Sequence, residues 1–502
     1  MEEMALHMAN EHTEFWLALL ELGDTEHARR RLWNAYCLLK CPGTVSRFLD
    51  IEEQQKAISR LGFSHPHEWN QLSDEIDKFV DERESVPIDS PDLLGDFSAF
   101  MDFSDIEFDD DVSFAGRLMI GANFSGAEFR RTAAFEGTEF IGPAGFAGTK
   151  FFTDEVPMAE AVNREVSFSK ATFHGSAAFS GAQFPEQSDF REALFRQGAS
   201  FGGAVFVARF VRGDLNYAFV SFKLSKFDGT ADFRDAVFGA DAALDNSTMK
   251  EGADFTNAAF SGTVRFHNCR FRSTTSFRNA TFRTPPNFFE TELHEDVDFG
   301  GIDWKLAEKN YHRSTRRDVL TNEMSIHADH AMRAWERLAL IMSQREKRED
   351  RHQFFRLKMR AERWRDGIGF LSSLNWLFDA LSDYGWSAGR AFGWWAGHVL
   401  LIGAVLAGVA MHCSLCAVDG GQRFLGFFRD GVLLSFANSH SFLGLASDGG
   451  WLEGSKDAIV DSCCETAAFA AVFGYIGLVQ AILGPILLFL VLLTLRNRFR
   501  LT

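Results

Sequence analysis

The chain has 502 residues, a formal net charge of −18 and seven cysteines, long enough for three or more domains. Residues 1–95 hold 19 acidic and 9 basic side chains, residues 97–304 hold 30 and 19, and residues 305–366 reverse to 10 and 16. The acidic front argues against nucleic acid as a direct partner.

Residues 1–95 read as a small helical region that caps the N-terminal end of the repetitive stretch 96–304. Phe15, Trp16, Leu19, Leu20 and Leu22 form an apolar stripe, Gly23 ends that helix, and Asp24 or Thr25 caps the next. Leu32, Trp33, Tyr36 and Leu39 share a second face, and Gly62 and Pro66 precede a helix reaching about Arg83. Cys37 and Cys41 have no second pair nearby and read as reduced thiols. His65 and His67, around Pro66, lack the further ligands a metal needs. Met1 to Leu20 has no basic n-region and no apolar core, so everything ahead of the first membrane segment is expected in the cytoplasm.

From Phe103 to Trp304 a large side chain recurs every five or six residues, as in Phe222, Phe227, Phe233, Phe238, Leu244, Met249, Phe255 and Phe260. The steps alternate, so the period is eleven, which neither a helix nor a strand gives. A small residue sits two places before many of them: Ala122 before Phe124, Ala182 before Phe184, Ala253 before Phe255. A repeated small-x-large unit implies a solenoid whose short sides each bury one large and one small side chain. Counting through Pro157, Val162, Val211 and Tyr217 gives 38 inward positions, 29 of them Phe, and an expectation of nine to ten coils at four sides each. At the usual strand spacing that is a rod roughly 45 Å long. Cys269 takes the small position before Phe271 and should be buried and inert.

Units such as Ala122-Asn123-Phe124-Ser125-Gly126 and Ala253-Asp254-Phe255-Thr256-Asn257 resemble the pentapeptide-repeat family, over about 200 residues. The resemblance implies a mainly β fold, a right-handed quadrilateral β-helix over 96–304, one unit per side. Every second unit here has an extra residue, expected to bulge at a corner and give coils of 22 residues.

Residues 305–366 read as charged cytosolic helices, with Trp335, Leu338, Ala339 and Met342 on one face and Phe354, Phe355, Leu357, Met359 and Trp364 on another. His327 and His330, with His312 and His352 elsewhere, lack a completing carboxylate pair and read as solvated. The nine basic residues between Arg345 and Arg365 are expected to touch anionic lipid or to hold the rod near it.

Residues 367–391 form an interfacial amphipathic segment, from Leu371 through Trp376 to Ser382-Asp383-Tyr384-Gly385-Trp386. Residues 392–502 form a two-span domain: 391–418 and 466–495 carry no formal charge, with the loop 413–465 between them outside. Arginines flank the spans, and the loop has Arg423, Arg429 and Lys456 against seven acidic residues, which puts both termini in the cytoplasm. Ser382-Asp383-Tyr384-Gly385 and the tail Arg496-Asn497-Arg498-Phe499-Arg500 are similar to segments of bacterial membrane-bound pentapeptide-repeat proteins, implying the bacterial inner membrane.

Three site expectations fall in this membrane half. Gly385, Gly389, Gly393 and Gly397, four apart, offer a flat helix face for self-association. Cys413, Cys416, Cys463 and Cys464 either staple the span ends or stay reduced near the boundary. Residues 430–445 are apolar but too short to span; the length favours an external helix on the bilayer. Alternatively the order span, short helix, turn, span is similar to the pore module of tetrameric cation channels, with Ser435, Asn438, Ser439 and His440 lining a re-entrant turn but without a carbonyl-lined filter run.

P-loop, dinucleotide, nucleophile-elbow and HExxH motifs are absent from the sequence, so no enzyme and no cofactor are expected. Three function classes remain: a membrane-tethered scaffold for a cytosolic protein partner, an oligomeric pore with the rod as sensor, and, least fitting, a nucleic-acid mimic.

Overall fold

The computed structural model describes residues 13–40, 45–46, 48–60, 66–82, 101–152, 165–207, 219–304, 306–307, 323–344, 348–367, 369–414, 421–443, 450, 452–460 and 467–499. It divides into two compact units, Met1–Lys347 and Arg348–Thr502.

The first unit is built on a parallel β-solenoid of about eight coils. Two- and three-residue strands stack into four sheets, one per side, and every pairing is parallel. Residue 231 pairs with residue 253 and residue 253 with residue 275, a coil of 22 residues as the period requires. Phenylalanines point inward and stack on their equivalents one coil away, Phe233 on Phe255 at 4.9 Å and Phe255 on Phe277 at 4.9 Å, both 2° from parallel. That spacing is the strand spacing itself, so ladder hydrogen bonds and ring stacking are satisfied together. Around one coil the rings meet edge to face, as Phe255 and Phe266 do at 5.7 Å.

The alternating step lengths correspond to two kinds of corner. In five-residue steps the amide three residues on returns to the inward residue's carbonyl, as from Ala171 to Phe168 at 3.1 Å and from Ala258 to Phe255 at 3.0 Å. The third residue of that turn is left-handed: Gly126, Lys170, Asp235 and Asn257 have φ of 72°, 57°, 58° and 60°. Glycine, Asn and Asp tolerate that region best, which is why they recur there. The six-residue steps turn through open bends, and these absorb the extra residue.

The uninterrupted ladder expected between Phe103 and Trp304 needs correcting. Ala144 pairs with Ala177 and Ala199 with Ala231, steps of 33 and 32 residues instead of 22. Phe151 stacks directly on Phe184 and Phe190 on Phe222. The pairing therefore skips about half a coil of sequence at each of these places, and Pro157, Val162, Val211 and Tyr217 lie within 153–164 and 208–218, outside the described residues. An insertion of eleven or ten residues nearly equals the period, so spacing alone could not reveal it. Nine to ten coils become about eight.

Helices close both ends of the stack. Leu118–Ile120 is an edge strand, and the helix Glu26–Lys40 occupies its free backbone. Trp33 Nε1 donates to Leu118 O at 2.7 Å, and Leu118 N donates to Asn34 Oδ1 at 2.8 Å. Pairing an edge with side chains removes a template for aggregation. At the far end the helix Glu323–Gln344 sets Trp335 edge-on against Trp304 at 5.8 Å, while Arg337 donates to Thr291 O at 2.9 Å.

The second unit is helical: Arg348–Asp366, Phe370–Ser382, Ala388–Ser414, Gly421–Ser439, Glu453–Val460 and Ala467–Phe499. Ala388–Met411 and Phe473–Phe499 are long and apolar enough to cross a membrane, and 28% of each window is buried. An apolar helix that stays this exposed is suited to lipid rather than to a soluble core.

Candidate functional site

Several polar residues of the second unit converge between its longest helices. The helix Gly421–Ser439 packs along the first span helix, antiparallel to it, and along the second, parallel to it. Glycines allow the approach: a Cβ on Gly403 would lie 2.7 Å from Val432 Cα, one on Gly431 would lie 2.4 Å from Gly403 O, and one on Gly484 would lie 2.2 Å from Ser439 O. Leu406, Ala410, Leu434 and Ile459 form the apolar core beside them.

At the C-terminal end of this middle helix, hydrogen bonds join all three helices. Gln480 Nε2 donates to Ser435 Oγ at 2.6 Å, and Asn438 Nδ2 approaches Gln480 Oε1 at 3.4 Å. Ser439 Oγ lies 2.9 Å from His398 Nε2 and 2.8 Å from Ser435 O. His440 Nδ1 lies 2.8 Å from Phe436 O, and its ring stands edge-on to Trp395 at 5.8 Å. Ser435, Ser439 and Gln480 are fully buried. His398 and Gly484 lie well inside the windows Ala388–Met411 and Phe473–Phe499, so the middle helix ends within the span region.

This geometry differs from both sequence expectations for residues 430–445. The segment is not a helix apart from the spans, because its polar face is turned onto Gln480 and His398. Nor do Ser435, Asn438 and Ser439 sit in a turn: they are helical, and the turn begins at His440. Alternation of polar and apolar residues fits a water-facing helix and a helix buried between polar partners equally well. The sequence signal for the second is the isolated His398 and Gln480 in otherwise uncharged spans.

The remaining expected residues fall in several places. Cys416, Cys463 and Cys464 lie outside the described residues; Cys413 is in the helix Ala388–Ser414, and its side chain lies outside them too. Gly385 precedes that helix in a left-handed turn with φ 79°, so it is not on the helical stripe. Gly389, Gly393 and Gly397 are on it, and a Cβ on any of them would meet nothing within 4 Å. The side chains of His327 and His330, like His65, His312 and Cys41, lie outside the described residues.

The solenoid surface is dense in pairs one coil apart. Arg130 bridges Glu107 and Asp109 at 2.7 Å each, and Lys250 meets Asp228 at 2.7 Å. Asparagine ladders run along two corners, Asn268 to Asn246 at 2.8 Å and Asn279 to Asn257 at 3.3 Å. On one side Gln183, Val205, Val237, Ala259 and Thr281 stand in register without a charge, following Glu107, Glu128 and Lys150 in the earlier coils of that same side. Inside, Cys269 is buried, bonded to Leu244 O at 2.9 Å, and burial pushes its thiol up to about 12, an inert state. His174 is 5% exposed, its Nδ1 has no hydrogen-bond partner, and burial holds its pKa below the usual histidine value against the opposing pull of Glu53. Glu53 belongs to the helix Ile51–Arg60, which reaches the solenoid through Arg196 at 2.5 Å.

Comparison with known proteins agrees with the coil geometry. Residues 162–205 and 255–303 match the family model described as pentapeptide repeats (9 copies). No curated protein and no solved structure matches the chain.

Proposed function

Taking the solenoid as a pentapeptide-repeat domain, we propose that this chain is a non-enzymatic membrane protein whose rod is a docking scaffold for a cytosolic protein. The two exposed apolar helices anchor it, both termini are cytoplasmic, and the arginine distribution fits a bacterial inner membrane. The observation that carries the scaffold reading is an uncharged stretch of one side of the rod, through Val205, Val237 and Ala259, set beside ion-paired surface. A flat sheet side without charge can be desolvated at little cost, whereas its neighbours cannot. A photo-crosslinking residue at Val237 in intact cells should give a discrete protein adduct that Val205→Glu abolishes. Adducts no different from those of a probe at Lys250 would overturn the reading.

A second reading, an oligomeric pore, is favoured by the middle helix ending between the spans. Several chains, brought together on the exposed glycine stripe, would gather those helix ends around one axis. Full-length protein in planar bilayers should then pass current that Asn438→Leu alters. Silence at every voltage and ion leaves the spans as an anchor.

A further inference from the structure

The two short motifs of the membrane half, Ser382-Asp383-Tyr384-Gly385 and the tail around Asn497, meet in space. Asn497 Nδ2 donates to Gly385 O at 2.9 Å across 112 residues of sequence. A Cβ on Gly385 would lie 3.1 Å from that nitrogen and 3.5 Å from Leu493, so a side chain there would press on the contact as well as strain the backbone at φ 79°. Asp383, Tyr384 and Gly385 are successively left-handed, with φ of 52°, 56° and 79°. Three such residues in a row are costly for the two that carry a Cβ and persist only where surroundings hold them.

Those surroundings are visible. Ser382 Oγ accepts from Gly385 N at 2.9 Å, and Tyr384 Oη meets Asn375 Oδ1 at 2.6 Å. Asn375 in turn donates to Met359 O at 3.0 Å on the basic helix Arg348–Asp366. From that helix Arg356 reaches Asp383 at 2.5 Å, Arg360 reaches Asp379 and Asp383 at 3.1 Å each, and Arg363 reaches Asp379 at 3.2 Å. The two carboxylates keep only 16% and 10% of their side-chain exposure. Trp386, the next residue after the elbow, lies against His352 at 4.6 Å and beneath Arg356. Arg356, Arg360 and Arg363, which the sequence assigns to anionic lipid, are therefore engaged inside the unit.

We infer that residues 382–386 are a coupling joint: one rigid node that binds the basic helix, the helix Phe370–Ser382, the start of the first span and the end of the second. Shared, partly buried charge makes the node act as a unit, since Asp383 serves two arginines and Arg360 serves two aspartates. Ala391, Leu490 and Val491, packed with Phe378 and Leu381, extend the same joint into the apolar layer. A displacement of the basic helix is thereby carried to the terminal turn of the second span. This holds whether or not the unit conducts ions.

The test is reciprocal, because coupling between two sites acts equally in both directions. Hydrogen exchange of the full chain in lipid nanodiscs reads it. Arg360→Asp should speed exchange about tenfold in 490–497 as well as in 370–386, and Arg360→Asp with Asp379→Arg should restore both. Asn497→Ala, a milder change that leaves every ion pair in place, should speed exchange in 356–366. Should Arg360→Asp fail to fold, the Asn497→Ala arm decides alone. Acceleration confined to the mutated segment in either variant would overturn the joint.

Discussion

The two units reach a defined structure by opposite means. In the solenoid one pattern repeats, and each coil presents the next with the same ring, the same turn and the same ladder bonds. Information is spread thinly, so removing one polar pair costs little and only an intruder in the core is severe. In the membrane unit the helices are apolar on most sides, and apolarity does not tell one helix where another goes when lipid is equally apolar. There a few glycines, Gln480, Ser435 and His398 set the arrangement, so single positions matter more. Sensitivity therefore concentrates at the repeat in the rod and at the exceptions in the bundle.

The largest expected effect tests the rod side of that contrast. Phe255→Asp places a charge in a stack with no partner for it and should abolish the cooperative thermal transition of the rod. Val237→Asp, at an exposed outward position on another side of the rod, should stay within about 0.5 kcal/mol of the parent. Circular dichroism melts separate the two, and a folded Phe255→Asp protein would undo the core assignment.

In the bundle, Gly484→Leu drives a side chain into Ser439 and should destabilise the membrane unit by about 1–3 kcal/mol, whereas Gly393→Leu meets open space within the chain. If Gly393→Leu nevertheless shrinks the particle on native gels in detergent, the stripe mediates self-association; equal sizes would count against it. Gln480→Leu is nearly the same size but removes the bonds to Ser435, a loss of about 1–2 kcal/mol in detergent unfolding. A loss equal to zero would mean that packing alone positions the middle helix.

Two smaller effects sharpen the picture. Asn268→Gly removes one rung of a corner ladder while keeping a residue at ease in the left-handed turn (φ 52°), and should cost about 0.5–1.5 kcal/mol, measured by chemical denaturation. His174 gives a pH signature. Burial lowers its folded pKa below the unfolded one, so its stabilising contribution is complete above the ordinary histidine range and is lost as pH falls through the lowered folded value. Rod stability should drop on acidification below that range, and His174→Gln should flatten the drop; an unchanged profile would remove His174 as its source.

The same contrast governs how much of the chain is legible in its sequence. The solenoid is legible because Phe and Ala at a fixed period have one physical meaning, down to the corner that holds the extra residue. The two insertions stay hidden, since their length matches the period and their register-keeping residues, Pro157, Val162, Val211 and Tyr217, are all non-phenylalanine. The C-terminal cap, Trp335 on Trp304, is a contact between elements that only the fold brings together. In the membrane half the spans are legible from composition. The path of the middle helix is not, because hydropathy gives burial but not the partner. Gly403, Gly431 and Gly484 look like any glycines in a span until their neighbours are known.

The central claim is that the helix Gly421–Ser439 is lodged between the two spans with its polar face turned inward. Ser435→Cys and Ser439→Cys, each alone in a background with the seven native cysteines replaced, test it in intact cells with a membrane-impermeant maleimide. Asp457→Cys, on the exposed side of the helix Glu453–Val460, is the reference. Burial between the spans predicts that the two serine positions label at least about tenfold more slowly than position 457, because both are fully enclosed. Labelling at all three positions at one rate would place the helix on the membrane surface and contradict the account.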